Sequence, residues 1–198
     1  MNTRIEHDLL GDMALPADTW YGIQTQRAVD NFAITGVPIS HFPALVNALA
    51  MVKAAAARAN HELGLLPAHK AEAILAACAD IIGGRLHEAF VVDLIQGGAG
   101  TSTNMNANEV IANLALEKLG QPRGAYSHLH PNDDVNMSQS TNDAYPTAVC
   151  VGLQFAVEPL VEAIASLKRA LEAKGREFAD VIKMGRTQLQ DAVPMTLG

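Results

Sequence analysis

The 198-residue sequence has few cysteines, few aromatic residues and a deficit of basic side chains, and each shortage excludes a class of protein. The two cysteines, Cys78 and Cys150, lie far apart and form no CxxC motif, so they predict no disulfide framework. Aromatic residues make up 5% of the chain while alanine supplies 33 positions, which favours close-packed helices over a β-sandwich. Fourteen Lys and Arg against 21 Asp and Glu give a net charge of −7, which argues against a nucleic-acid partner.

Long apolar runs are missing as well. The longest uncharged apolar run, Ala144–Val157, contains a proline and a glutamine and is shorter than the roughly 20 residues that a membrane-spanning helix needs. The first eight residues contain no apolar segment typical of a signal peptide. We therefore expect a cytoplasmic protein without a membrane partner.

The apolar residues that are present follow helical periods. Pro43 and Gly64 bracket one predicted helix, and a second is predicted over Pro67–Ile82, before a Gly-Gly pair. A third is predicted over about Asn106–Leu119, with Gly120 closing it. The segment 121–145 has no period, and such a long ordered loop is usually functional.

The strongest apolar pattern follows Pro146 and predicts one long helix over 147–183, which Pro159 should kink or restart. At 1.5 Å per residue the helix would be about 55 Å long, whereas a compact chain of this length has a diameter of roughly 40 Å. An ordinary core helix is one interpretation of this stripe. The length favours a helical bundle whose partners come from other chains or from sequence outside these residues. The apolar positions are Leu153, Val157, Leu160, Ile164, Leu167 and Leu171.

Three segments rich in neutral hydrogen-bond donors are candidate binding loops: Gln96–Asn106, Ser138–Asp143 and Gly185–Pro194. Glycines let backbone N–H groups approach an anion, and a helix N-terminus attracts negative charge. Their spacing is equally consistent with helix caps, by Thr103 or Asn104 in the first segment, and with a polar interhelical turn in the third. A fourth segment, His128–Asp134, could hold a metal through its H-x-H pattern, but a Pro-Asn-Asp turn explains it as well. We expect no metal site.

At these residues the sequence resembles the fumarase/aspartase superfamily, and within it the aspartate ammonia-lyases. The resemblance extends over essentially the whole chain, and Gln188 stands where fumarases have a catalytic histidine. The motifs that carry it are Arg4–Gly11, Pro16–Gly22, Gly97–Ser102, Gln139–Pro146 and Gly185–Gln188.

The resemblance implies a mainly all-α fold, with an N-terminal lyase domain over 1–141 and the start of a central helical bundle over 142–198. It implies a homotetramer whose active sites combine three subunits. The implied reaction is the reversible elimination of ammonia from L-aspartate to give fumarate, through Cβ proton abstraction and an aci-carboxylate intermediate. No cofactor is implied, and Mg²⁺ activation is left open.

The resemblance also assigns substrate contacts. Thr101, Ser140 and Thr141 would bind the β-carboxylate, Asn142 and Gln188 the amino group, and Thr187 the α-carboxylate. A weaker correspondence places His130 and Asn132 in a secondary anion loop.

One departure from the family pattern is large. The family's general-base serine lies in a loop with no counterpart among these 198 residues, so no catalytic residue is assigned and the chain by itself is expected to be inactive. Two alternatives stay open. One is a class II fumarase-type hydratase of the same superfamily, and the other is a non-catalytic helical oligomerisation module.

Overall fold

The computed structural model describes residues 2–198 and is mainly helical, which confirms the predicted fold class. Met1, the first residue of the predicted N-terminal domain, lies outside the described residues. Within residues 2–198 there are five α-helices and two antiparallel hairpins: β1 (Thr3–Asp8), β2 (Gly11–Pro16), α1 (Ile23–Asn31), α2 (Pro43–Glu62), α3 (Ala68–Ile82), α4 (Thr101–Lys118), α5 (Thr141–Glu177), β3 (Ile182–Thr187) and β4 (Gln190–Thr196).

The chain divides into two compact units, one ending at Gln154 and the other comprising Phe155–Gly198. In the first unit α2, α3 and α4 pack together around a core made largely of alanine, leucine and isoleucine. Small side chains let the helix axes approach closely, because a protein interior is packed to nearly crystalline density. The alanine-rich composition therefore serves the close packing of these three helices.

The predicted bounds of α2 and α3 are confirmed. Pro43 is the first residue of α2, and Gly64, with a φ of +74°, lies just past its end. Pro67 precedes the first residue of α3, and Gly84 has a φ of +95° after it. Proline at the start and glycine after the end are the positions that helix geometry favours, so the sequence signals were sufficient here.

The predicted starts of α4 and α5 are wrong by several residues. α4 begins at Thr101 rather than near Asn106, and α5 begins at Thr141 rather than Thr147. The apolar periodicity did not reveal these starts, because the first three residues of each helix are polar. α5 continues through Pro159 without restarting and ends at Glu177, so a restart at this proline and the predicted end at 183 are also wrong, while a kink there stays a prediction.

Segment 121–140 is partly ordered by short helical turns and buried apolar side chains. A single π-helical turn covers Pro131–Val135, and Leu129 and Val135 are buried in the core. The segment thus lacks an apolar period because it is a compact loop, held in place by its buried side chains.

In the second unit the apolar stripe of α5 is open to solvent, and the chain then forms a hairpin. Val157, Leu160, Ile164, Leu167 and Leu171 are each between 44% and 63% exposed. By length and composition alone α5 could cross a membrane, a test that core helices of soluble proteins also pass, so this finding carries little weight.

The segment predicted as a polar interhelical turn is instead the hairpin of β3 and β4. Its two turn residues, Gln188 and Leu189, have φ values of +48° and +65°. Two-residue hairpins of this kind usually contain Asn or Gly, so the sequence carried no hairpin signal.

Candidate active site

The Gly-rich segment before α4 is held by side-chain hydrogen bonds. The Gln96 side-chain amide donates to the carbonyl oxygen of Asp93 at 2.9 Å, and its Oε1 accepts from the backbone N–H of Thr103 at 3.1 Å. Gly100, at φ +83°, is the residue that precedes the helix. α4 begins at Thr101, and Thr103 and Asn104 are buried inside it, so the alternative interpretation in which one of them caps the helix is wrong. Thr101 is the exposed hydroxyl of this first turn.

A buried carboxylate anchors the same segment to an earlier part of the chain. Asp93 accepts from the backbone N–H groups of Thr35, Gly36 and Ile95 and from the Thr35 hydroxyl, all within 2.7–2.9 Å. Burial alone would raise the pKa of Asp93, but these hydrogen bonds outweigh it and lower the pKa to about 2. The anchor therefore stays ionised and holds the start of the Gly-rich segment.

Ser140 and Thr141 lie at the start of α5, in the second donor-rich segment. The Ser140 Oγ accepts from the backbone N–H of Asn142 at 3.2 Å, which is the geometry of a helix cap. The Thr141 Oγ1 accepts from the side-chain amide of Asn104 at 3.4 Å. The structure thus links Thr141 to α4, three residues beyond Thr101. The Asn142 side chain is exposed.

A lysine that sequence reasoning missed lies behind these residues. Lys53 of α2 is fully buried and donates to side-chain oxygens of Asn104, Asn136 and Gln139 at 2.7, 2.8 and 2.9 Å. Burial lowers the pKa of its ammonium group to about 7. One sequence signal could have found it, since Lys53 falls four residues after the buried Leu49, on the apolar face of α2.

Thr101, His130 and Asn132 line one cleft of about 720 Å³, together with residues of β1 and α4. The Nδ1 atom of His130 accepts from the backbone N–H groups of Asn132 and Asp133 at 3.2 and 3.1 Å. The remaining ring proton of the neutral imidazole is therefore on Nε2. Among residues 2–198 no group of three His, Cys, Asp or Glu side chains is placed to hold a metal ion.

Thr187 and Gln188 belong to the second unit. Thr187 ends β3, Gln188 is the first residue of the hairpin turn, and both side chains are exposed. The neighbouring Arg186 donates to Asp191 across the hairpin at 2.8 Å. The local fold therefore presents both predicted contacts on a tight turn.

Helices that present hydroxyl and amide donors at their N-termini are suited to binding a small anion. A family model described as lyase matches residues 11–198. The chain therefore belongs to this family, which is part of the fumarase/aspartase superfamily, and the resemblance stated from the motifs is confirmed.

Individual relatives agree with this assignment. The chain is 66% identical to an aspartate ammonia-lyase of Pseudomonas aeruginosa over 197 residues, covering all of this chain and 42% of that protein. A crystal structure described as fumarate lyase:delta crystallin from Brucella melitensis is 64% identical with a TM-score of 0.96, over 98% of this chain and 44% of that one. A class II fumarase from Schistosoma mansoni is 36% identical with a TM-score of 0.91, over 99% of this chain and 41% of that one. The chain spans about two-fifths of the length of these relatives.

Proposed function

We propose that the whole protein eliminates ammonia from L-aspartate to give fumarate. The observation that carries this proposal is the 66% identity to an aspartate ammonia-lyase over the full chain, against 36% to a class II fumarase. Gln188 supports it, because an amide oxygen can accept a hydrogen bond from an ammonium group. A class II fumarase-type hydratase is the second candidate, favoured by the likeness to the Schistosoma mansoni fumarase.

The donors at the two helix starts suit the proposed chemistry. In this proposal Thr101, Ser140 and Thr141 bind the β-carboxylate, Asn142 and Gln188 hold the amino group, and Thr187 holds the α-carboxylate. The oxygens of Ser140 and Thr141 already accept one hydrogen bond each, and each hydroxyl keeps its own proton to donate.

The elimination itself moves a proton and an amine. A general base removes a proton from Cβ, the electron pair left on Cβ forms the Cα–Cβ double bond, and ammonia leaves with the electrons of the C–N bond. Negative charge accumulates on the β-carboxylate before ammonia leaves, and each preorganised donor there is worth about 3–4 kcal/mol. We propose that the reaction requires no cofactor, and a redox cofactor would have no role because the net reaction transfers no electrons to an acceptor. Repeating the assay with a chelator tests for Mg²⁺ activation.

His130 and Asn132 supply the weaker part of the proposal. We propose that the cleft they share with Thr101 takes a second small anion, bound by the Nε2 proton of His130 and the side-chain amide of Asn132.

The deciding experiment offers the whole protein L-aspartate and L-malate separately and follows fumarate by its ultraviolet absorbance. We expect fumarate and an equal amount of ammonia from aspartate, and no fumarate from malate. Fumarate from malate alone would overturn the proposal in favour of the hydratase. No fumarate from either substrate would favour a non-catalytic oligomerisation module.

A variant pair tests the donor assignment. Thr141→Val deletes one hydroxyl at nearly constant shape and should lower kcat/KM about 10²-fold. Thr147→Val makes the same change six residues later in α5, at an exposed position, and should leave kcat/KM unchanged. Equal kcat/KM in wild type and Thr141→Val would leave Thr141 as a residue of the helix start only.

We also propose that the protein is a cytoplasmic homo-oligomer, a tetramer, joined through the apolar face of α5. Contiguous apolar patches of several hundred Å² are rarely left bare, and this face is open to solvent within the described residues. The isolated 198-residue chain should self-associate and turn over no aspartate. Replacing Leu160 and Leu167 by Glu should abolish the association in light scattering, whereas a monomeric unmodified chain would contradict it.

A further inference from the structure

The environment of Lys53 is unusual because a fully buried ammonium group contacts only neutral partners. Its three hydrogen bonds go to the amide oxygens of Asn104, Asn136 and Gln139, and within residues 2–198 it forms no ion pair. A buried cation without a carboxylate is costly. Packing alone would be served better by an apolar side chain, so the charge and the three donors of this lysine need another explanation.

The ammonium form of Lys53, which its three donated bonds require, has no acceptor, so it determines which way its three partner amides face. Each must turn its oxygen toward Nζ and its NH₂ group away. The NH₂ of Asn136 then donates to the Gln139 carbonyl oxygen at 3.1 Å, and that of Gln139 to the Val135 carbonyl oxygen at 2.9 Å. These bonds order the segment that leads into α5.

The third amide connects Lys53 to a proposed substrate contact. With its Oδ1 on Lys53, Asn104 directs its NH₂ at Asn136 Oδ1, at 3.0 Å, and at Thr141 Oγ1, at 3.4 Å. A threonine hydroxyl that accepts from this NH₂ cannot donate its own proton in the same direction. The proton is therefore not used on Asn104 and is left for another acceptor.

We infer that Lys53 is a positioning residue: by fixing the amide of Asn104 it keeps the Thr141 hydroxyl proton free for the substrate carboxylate. This inference rests on the proposed function, since it names what makes Thr141 a donor. Without Lys53 the Asn104 amide can flip and present its oxygen to Thr141, and the hydroxyl then donates to that oxygen.

The test is a double-mutant cycle on the whole protein, with aspartate deamination as the readout. Lys53→Met removes the donors at similar length, and Lys118→Met is the matched control because Lys118 pairs with Asp80 at the surface. We expect Lys53→Met to lower kcat/KM about 10²-fold in wild type and less than about 3-fold when combined with Thr141→Val. We expect Lys118→Met to leave kcat/KM unchanged in both backgrounds.

Asn104→Asp keeps the inference testable where Lys53→Met does not fold. Aspartate has nearly the same shape, offers Lys53 an ion pair, and replaces the donor to Thr141 by an acceptor. We expect a folded protein with about 10²-fold lower kcat/KM, and again little further loss on top of Thr141→Val. A charge effect on the substrate would persist in that background, whereas loss of the hydroxyl donor would not.

The outcomes separate the two proposals. Equal losses in both backgrounds, or no loss in a folded Lys53→Met or Asn104→Asp variant, would overturn the role of Lys53 and leave the proposed function standing. A wild-type protein that forms no fumarate from aspartate would overturn the proposed function, and this inference with it.

Discussion

Replacing Glu109 by glutamine tests how the N-terminus of α1 is held. Glu109 is on α4 and 1% exposed, and its carboxylate accepts from the backbone N–H groups of Gly22, Gln24 and Thr25 at 2.9, 2.9 and 3.0 Å. The Thr25 hydroxyl adds a fourth bond at 2.5 Å. Gly22, the residue that caps α1, provides no side-chain hydrogen bond. A carboxylate from a distant helix therefore satisfies the donors that a helix start leaves open.

The expected change in stability follows from counting the hydrogen bonds that Glu109 accepts. One carboxylate oxygen receives three of the four bonds, so a glutamine can keep those three with its single oxygen. Its NH₂ then faces the N–H of Gln24, and an unsatisfied buried donor costs about 1–3 kcal/mol. The three remaining bonds lose the strength that the charge gives them, about 1 kcal/mol each. Burial outweighs these bonds and raises the pKa of Glu109 to about 7, so removing the charge returns what the three bonds lose in strength. The unsatisfied donor remains, and we expect a net loss of about 1–3 kcal/mol in the free energy of unfolding.

Urea unfolding at pH 8, followed by far-ultraviolet circular dichroism, measures the effect. The matched control is Glu117→Gln, the same change on the same helix at an exposed carboxylate paired with Arg123. Surface pairs contribute little, so the control should lose less than about 1 kcal/mol. A Glu109→Gln protein as stable as this control would refute the idea that the two acceptor oxygens of Glu109 hold α1.

Two further predictions concern the Gly-rich segment. The folded pKa of Asp93 lies below its ordinary value of 3.8, so its contribution to stability is present above about pH 4 and is lost toward about pH 2. The difference in urea midpoint between wild type and Asp93→Asn should therefore shrink from pH 5 to pH 3. A constant difference would contradict this prediction. At Gly100, φ is +83° and an added methyl group would overlap a tyrosine ring, whereas at Gly98 φ is +75° and an added methyl group would enter open space. Thermal unfolding should show that Gly98→Ala loses about 1 kcal/mol of stability and Gly100→Ala at least twice that. Equal losses would rule out the overlap with the ring as a cause.

The elements that the sequence predicted well are the helices whose ends are marked by a nearby proline or glycine. α2 and α3 begin at or beside a proline and end before a glycine with positive φ, so their bounds depend on neighbouring residues alone. The turn between β3 and β4 depends on Gln188 and Leu189 adopting positive φ, which their side chains do not favour. Such a turn is imposed by the strand pairing on either side, and a local pattern does not reveal it.

In the candidate site, too, the sequence predicted local features but not long-range contacts. The motifs identify Thr101, Ser140 and Thr141 as donors, but which donors meet is a matter of tertiary contact. The bond between Asn104 and Thr141 joins residues 37 positions apart in sequence. The three bonds of Lys53 reach across 51, 83 and 86 positions. A single sequence contains no record of these distances, so the hydrogen-bond network behind the donors could not be derived from it.

α4 shows why polarity can mislead a prediction of burial. Its asparagines and its two glutamates make it look like a surface helix, yet Asn104, Asn106, Glu109 and Asn113 are all 1% exposed or less. Most polar groups in a core are hydrogen-bonded, and each of these four reaches a different segment of the first unit: the start of α5, the residues after α3, the start of α1, and the backbone carbonyl of Trp20. The polar residues of α4 therefore position the loops around it, and a periodic apolar stripe would have provided packing without this orientation.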